Sequence, residues 1–76
     1  MVFIDNGGRT TTIQCRTDEL MRDVIQRCLN KLEISENLEE MLFILNERRI
    51  NINSSVQDNE LYDDAKIDII HDVIYA

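Results

Sequence analysis

The chain has 76 residues, enough for one folded domain, and we take residues 1–76 as that domain. Its composition is 43% apolar and 30% charged, which is globular, and no apolar run approaches the roughly 18 residues of a membrane span. The formal net charge of −7 disfavours nucleic acid as a partner, because phosphates would be repelled. We expect a soluble monomer that binds neither nucleic acid nor membrane.

The first two predicted elements are strands, Met1–Asp5 and Arg9–Cys15, on either side of Asn6-Gly7-Gly8. Paired glycines readily take the positive φ angles of tight turns, so we expect an antiparallel hairpin. A two-residue turn and a three-residue turn would place opposite strand faces inward. The sequence leaves open which pair of side chains faces the core, Val2 and Ile4 or Met1 and Phe3.

From Thr17 the apolar residues change to the spacing of an amphipathic helix. Thr17 or Asp18 is a suitable N-cap, and Asp18 and Glu19 place negative charge at the positive end of the helix dipole. The apolar stripe that would face the core consists of Leu20, Met21, Val24, Ile25, Cys28, Leu29 and Leu32.

Three further strands are predicted in the second half of the chain. A polar break at Ser35-Glu36-Asn37 precedes an apolar run of strand length, Met41–Leu45. A turn at Asn46–Arg49 and a short strand at Ile50–Ile52 follow, and the last predicted strand is Lys66–Val73.

Between these strands, two overlapping capping boxes predict a short helical turn that ends near Leu61. They pair Ser54 with Gln57 and Ser55 with Asp58. The complete order is ββαββ, a short turn, then β. This order predicts an α+β fold, with one helix across a mixed sheet of four to five strands.

This order, at this length, resembles the ubiquitin-like β-grasp fold. The helix end and the central strand with its basic turn resemble those of ubiquitin and the small ubiquitin-like modifiers (SUMO), at Cys28–Ile34 and Met41–Ile50. The stretch Asp63–Ile70 resembles their acidic turn and final strand. The resemblance implies a β-grasp roll that acts by protein–protein interaction and is not an enzyme.

Members of this superfamily that become attached to target proteins end in Gly-Gly. This sequence ends Val73-Ile74-Tyr75-Ala76 and contains only two lysines, Lys31 and Lys66. The resemblance therefore implies a non-conjugated docking domain of the kind that larger proteins carry. One alternative is a SUMO-like modifier whose Gly-Gly tail lies outside this sequence. A second is a Ras-association or FERM-type domain that binds a small GTPase through its second strand, where the basic residues are Arg9 and Arg16.

Strand alternation predicts a docking surface on the sheet face that the helix leaves bare. Neighbouring side chains in a strand point to opposite faces, so if Phe43 faces the helix, Leu42 and Ile44 face away. The predicted surface with its charged edge consists of Leu42, Ile44, Arg48, Arg49, Asp68 and Ile70. The resemblance adds that Ile44 and Ile70 match positions on the recognition face of ubiquitin.

A second candidate site is a peptide groove between the second strand and the helix. In SUMO-like proteins this groove accepts an extended peptide as an added strand. The resemblance implies that Thr12 and Gln14 supply the strand edge here, while Arg16 and Arg22 attract an acidic flank of the peptide.

The remaining polar residues give no pattern of a catalytic or metal site. Cys15 and Cys28 are too few for a disulfide framework, and with the lone His71 they fall short of the ligands that zinc needs. Adjacent residues such as His71 and Asp72 project from opposite strand faces and cannot pair. We expect buried cysteines, no metal and no other cofactor.

Compartment and partner class follow from the same features. Too few cysteines for a secreted scaffold and an N-terminus without a signal-like pattern predict a cytoplasmic or nuclear protein. The late acidic residues would steer a basic partner; they are Asp58, Glu60, Asp63, Asp64, Asp68 and Asp72. We expect that partner to be a conjugating enzyme, another ubiquitin-pathway protein or the rest of a parent multidomain chain.

Overall fold

A computed structural model describes residues 1–5, 7–62 and 64–71. Over these residues the chain forms one helix and five strands, with a 3₁₀ turn at Leu38–Glu40. The elements are β1 Val2–Ile4, β2 Thr10–Thr12, α1 Met21–Lys31, β3 Met41–Leu45, β4 Arg48–Arg49 and β5 Lys66–His71. The predicted α+β order is confirmed. Asn6 of the first turn and the predicted strand end at Val73 lie outside the described residues.

The five strands form one mixed sheet in the order β2-β1-β5-β3-β4. β1 pairs antiparallel with β2 and parallel with β5, while β3 pairs antiparallel with both β5 and β4. A parallel pair needs a crossover connection, and here α1 lies within it. The first and last strands of the described chain are therefore neighbours at the middle of the sheet.

The hydrophobic core lies between α1 and one face of this sheet. The largest fully buried side chains of the strands are Phe3, Phe43, Ile67 and Ile69, and those of α1 are Met21, Val24, Ile25, Cys28 and Leu29. The predicted helical stripe is buried except for Leu20, which precedes α1 and is 44% exposed.

The first hairpin has a three-residue turn, because Asp5 and Arg9 form its closing pair through Asp5 N–H and the Arg9 carbonyl. Gly8, the last turn residue, has a φ of +84°, a value that glycine adopts without strain. This register buries Met1 and Phe3 and leaves Val2 and Ile4 half-buried on the other face. Of the two pairs that the sequence left open, Met1 and Phe3 therefore face the core, and Val2 and Ile4 do not.

The N-terminus of α1 is not capped as predicted. Its N-cap residue is Leu20, without a side-chain cap, and not Thr17 or Asp18. The Met21 and Arg22 amides instead donate to backbone carbonyl oxygens of the segment 52–54, at 2.9 and 3.1 Å. Backbone from a remote loop therefore satisfies the first N–H groups of the helix, which side chains would otherwise satisfy.

The predicted turn at Asn46–Arg49 is shorter in the structure. Asn46 and Glu47 both have positive φ angles, 50° and 67°, the geometry of a two-residue type I′ hairpin turn. Arg48 and Arg49 consequently form β4, opposite Leu45 and Ile44. The predicted strand at Ile50–Ile52 is therefore wrong by two residues, because the tight turn starts the return strand earlier.

Residues 50–62, which follow β4, form turns that are held by Asn59, and none of these residues is helical. Half of one predicted capping box is present, since the Asp58 amide donates to the Ser55 hydroxyl at 3.0 Å. The buried Asn59 side chain accepts from the Asn51 amide and donates to the carbonyls of Asn51 and Ser55. One side chain thus closes this long connection.

The C-terminus of α1 is held by a backbone motif and by Arg9. The Ile34 amide donates to the Leu29 carbonyl and the Glu33 amide to that of Asn30, with Glu33 at a φ of 58°, which is a Schellman cap. The Arg9 guanidinium donates to the Leu32 carbonyl at 3.1 Å. Arg9 therefore connects the first hairpin to the end of the helix.

Arg9 also pairs with Asp5, whose side chain is only 7% exposed. Its Nε and Nη2 atoms both donate to Asp5 Oδ2, at 3.1 and 3.0 Å. We predict that Arg9→Met lowers the free energy of unfolding by about 1–3 kcal/mol, because it removes two charge-assisted hydrogen bonds to the nearly buried Asp5 carboxylate. Urea denaturation of the two proteins measures this difference.

The matched control is Arg16→Met, because the ion pair of Arg16 with Asp18 has both side chains mostly exposed, at 81% and 64%. Such pairs contribute little, so this variant should stay within about 0.5 kcal/mol of the wild type. Equal destabilisation by the two substitutions would contradict the role given to Arg9.

Candidate docking surface

The sheet face opposite α1 carries a row of side chains that crosses all five strands. Ile4 of β1 pairs with Thr10 of β2 on one side and with Asp68 of β5 on the other. Ile44 of β3 pairs in turn with Asp68 and with Arg49 of β4. Cross-strand partners point to the same face. We call Ile4, Asp68, Ile44 and Arg49 the central row.

Further apolar side chains flank the central row. Leu42 pairs with Ile70, which is 41% exposed, and Val2 pairs with Lys66. Val2, Leu42 and the two isoleucines of the central row are half-buried. The open-face patch, as we define it, consists of Val2, Ile4, Leu42, Ile44 and Ile70.

Sequence reasoning missed Val2 and Ile4 as members of this patch. The apolar run at the start of the chain was visible, but its inward face depends on the length of the first turn. Once Phe3 is buried, alternation places both neighbours on the open face, where Ile4 lies next to Asp68.

Arg48 is the one predicted member of the surface that the structure places elsewhere. It pairs with Leu45, whose side chain is buried on the helix side of the sheet. Its guanidinium donates to the Asn59 carbonyl at 2.8 Å. The other five predicted residues lie together on the open face: Leu42, Ile44, Arg49, Asp68 and Ile70.

The predicted peptide groove corresponds to a cleft of about 640 Å³ between β2 and α1. It is lined by Thr12, Ile13, Gln14, Arg27, Asn30 and Lys31. β2 is an edge strand, but the Thr12 carbonyl already accepts a hydrogen bond from Lys31 Nζ at 3.2 Å. An added strand that used this carbonyl would have to share it with the lysine or displace the lysine.

Neither arginine predicted for the groove lines this cleft. Arg22 points to the other side of α1, where it donates to Glu39 at 3.0 Å and to Asn53 at 3.2 Å. Arg16 lies near the start of α1 and pairs with Asp18 at 3.1 Å. The helix instead offers Arg27 and Lys31 to the groove.

The two cysteines do not form a disulfide with each other; Cys28 is fully buried and Cys15 is half-buried. Burial, with a smaller contribution from the Asp5 carboxylate, raises the pKa of the Cys28 thiol to about 12. In the described part of the chain no group of three or more candidate ligands lies close enough to hold a metal ion. Asp72 lies outside the described residues, so the structure does not test the prediction that His71 and Asp72 cannot pair.

Two of the late acidic residues, Asp63 and Asp72, lie outside the described residues. The other four are exposed: Asp58, Glu60, Asp64 and Asp68.

Among the helices that the structure describes, none is long and apolar enough to cross a membrane.

Comparison of the sequence with protein-family models and with curated proteins gave no match. Among solved structures, the chain is similar to the NMR solution structure of a computationally designed protein based on the template of human erythrocytic ubiquitin. The TM-score is 0.84 at 9% sequence identity, over 100% of this chain and 94% of that chain. The mixed sheet with its single helix is therefore a ubiquitin-like β-grasp fold, and the likeness extends to the fold alone.

The two faces of the sheet can be tested on adjacent isoleucines of β5. Ile69 is 1% exposed on the helix side, whereas Ile70 is 41% exposed in the open-face patch. We predict that Ile69→Ala lowers the free energy of unfolding by about 2–5 kcal/mol, because it leaves a cavity in the core. Ile70→Ala should cost less than about 1 kcal/mol, and similar losses in urea denaturation would contradict the assigned faces.

The Cys28 thiol gives a pH-dependent prediction. Its pKa is raised from 9.0 to about 12, so between these values the unfolded chain loses a proton that the folded chain keeps. Stability contributed by the neutral thiol therefore falls as the pH rises. From pH 9 to 10 the wild type should lose about 1 kcal/mol more than Cys28→Ala does in urea denaturation. A constant difference between the two proteins would contradict the raised pKa.

Proposed function

We propose that this domain is a non-enzymatic, ubiquitin-like or SUMO-like interaction module that docks another protein through its open-face patch. The partner proposed is a conjugating enzyme or another protein of the ubiquitin pathway, in the cytoplasm or nucleus. The observation that carries the proposal is the cross-strand placement of Ile4, Ile44 and Ile70 with Leu42 on a face that no element of the described chain covers.

The energetics of this surface favour docking. Complete burial of an aliphatic side chain contributes about 1.5–3 kcal/mol, and less where it is already half-buried, as for Leu42 and Ile44. Four of the five patch residues are half-buried, so their combined contribution is comparable to the cost of association, about 4–15 kcal/mol, which supports a transient complex. The charges of Asp68 and Arg49 lie within and beside the patch and would orient the partner.

The groove and the second strand support this function less well. A peptide strand in the groove competes with the hydrogen bond from Lys31 to Thr12, and Arg22 is absent from the cleft. Binding of a GTPase through β2 would depend on Arg9 and Arg16. The Arg9 guanidinium is already bound to Asp5 and to the Leu32 carbonyl, and Arg16 pairs with Asp18. Both modes therefore use groups that already have partners within the domain.

The test is an NMR titration of the ¹⁵N-labelled domain with purified ubiquitin and SUMO conjugating enzymes. We predict that chemical-shift changes cluster at Ile4, Leu42, Ile44, Arg49 and Ile70. Ile70→Asp should weaken the docking at least about tenfold, because it places a charge in the apolar contact.

The matched control is Leu20→Asp, because Leu20 is an aliphatic residue of similar exposure, 44% against 41%, outside the patch. Leu20→Asp should bind with the affinity of the wild type. Circular dichroism of both variants checks that each is folded. Shift changes confined to the polar face of α1, around Gln26 and Asn30, would contradict docking through the sheet. So would equal binding by Ile70→Asp and the wild type.

A further inference from the structure

We infer that the docking partner meets the central row with an amphipathic helix that carries a basic, an apolar and an acidic residue in sequence along one face. This inference rests on the proposed docking function and specifies the partner's chemistry. It follows from the order of charges across the strands. Asp68 lies between Ile4 and Ile44, and Arg49 lies on the far side of Ile44.

The two charges of the central row are available to a partner. Both Asp68 and Arg49 are exposed. The ion pairs found within the described ranges engage other residues: Asp5 with Arg9, Asp18 with Arg16, Glu39 with Arg22 and Glu19 with Arg27. A purely apolar partner would bury the Asp68 carboxylate without a compensating positive charge, which costs binding free energy. A partner with a cation at that point avoids this cost.

The spacing of the row selects a helix as the partner's contacting element. Neighbouring strands lie about 4.8 Å apart, so Asp68 and Arg49 are separated by about 9.6 Å, with Ile44 midway. Helix residues i, i+4 and i+7 lie on one face at about 0, 6.0 and 10.5 Å along the axis. A helix that crosses the strands therefore places a base over Asp68, an apolar residue over Ile44 and an acid over Arg49.

A partner strand fits this row poorly. Its side chains on one face repeat about every 6.7 Å, so the third would lie about 13.4 Å from the first, nearly 4 Å beyond Arg49. On the other side of Asp68, an apolar residue at helix position i−3 falls about 4.5 Å away, close to Ile4. One face of a single helix would thus contact one residue on each of four strands: Ile4 of β1, Asp68 of β5, Ile44 of β3 and Arg49 of β4.

A second copy of the chain is the competing occupant. A twofold axis along β3 would place Asp68 of one copy opposite Arg49 of the other, with Ile44 against Ile44. Each copy, however, carries a net charge of −7, and two such surfaces repel each other. The net charge of the domain therefore disfavours this twofold pairing.

The probes are three synthetic helical peptides of about 18 residues, long enough to hold a helix when Ala-rich. All three carry Leu at i−3 and i+4. The first has Lys at i and Glu at i+7, the second has Glu at both positions, and the third has Lys at both. Titration of the labelled domain should move signals of Ile4, Ile44 and Asp68, with the Lys/Glu peptide binding about fivefold more tightly than either of the others.

Variants of the domain assign this preference to the two charges. With Asp68→Asn, the Lys/Glu peptide should no longer bind more tightly than the Glu/Glu peptide. With Arg49→Gln, the Lys/Glu peptide should no longer bind more tightly than the Lys/Lys peptide. Asp68→Lys should reverse the first preference, so that the Glu/Glu peptide binds best. Asp64→Asn and Arg16→Gln remove charges that are also exposed but lie outside the row, and they should leave all preferences unchanged.

Equal affinity of the three peptides, binding by none of them, or an unchanged preference in Asp68→Lys would overturn the inference. Sedimentation showing a dimer that Asp68→Lys disrupts would overturn it in favour of a second copy. These results are distinct from a failure of the proposed function. That function fails when Ile70→Asp leaves docking to the conjugating enzymes intact, whatever the peptides do.

Discussion

One helix covers one face of a sheet whose strands alternate, and the rest of the structure depends on this constraint. Phe43 can reach the core beneath α1 only if Leu42 and Ile44 point to the opposite face. The same holds for Ile69 and Ile70 on β5. The core and the open-face patch are therefore two consequences of one strand geometry. A substitution that shifted strand register would exchange them and lose both.

Backbone groups far apart in sequence hold the helix in its place on the sheet. Its N-terminal amides donate to the loop that follows β4, and its C-terminal Leu32 carbonyl accepts from Arg9 of the first hairpin. In the described residues every buried polar side-chain atom has a hydrogen-bond partner. Exposed charged and apolar side chains lie on the open face of the sheet, among them Asp68, Arg49 and Ile70.

The fold and much of the candidate site could be predicted, because both depend on local periodicity. The apolar spacing of α1 and the alternation in β3 and β5 are contained within a few neighbouring residues. Leu42, Ile44 and Ile70 follow from that alternation alone. Arg48 could not be placed in this way, since its position depends on a two-residue turn at Asn46 and on the Asn59 carbonyl, which is distant in sequence.

By itself, the sequence determined the order of the elements and which stripe of the helix is buried, since side-chain periodicity within one element decides both. The tertiary structure alone decided the register of the first hairpin, the backbone capping of α1 and the pairing of Ile4 with Asp68. The capping of α1 and the pairing of Ile4 with Asp68 join backbone groups that are remote in sequence. The hairpin register depends on a backbone hydrogen bond between Asp5 and Arg9, and any residue could supply these backbone groups. Such pairings leave little trace in residue type, and they create the charge order across the open face.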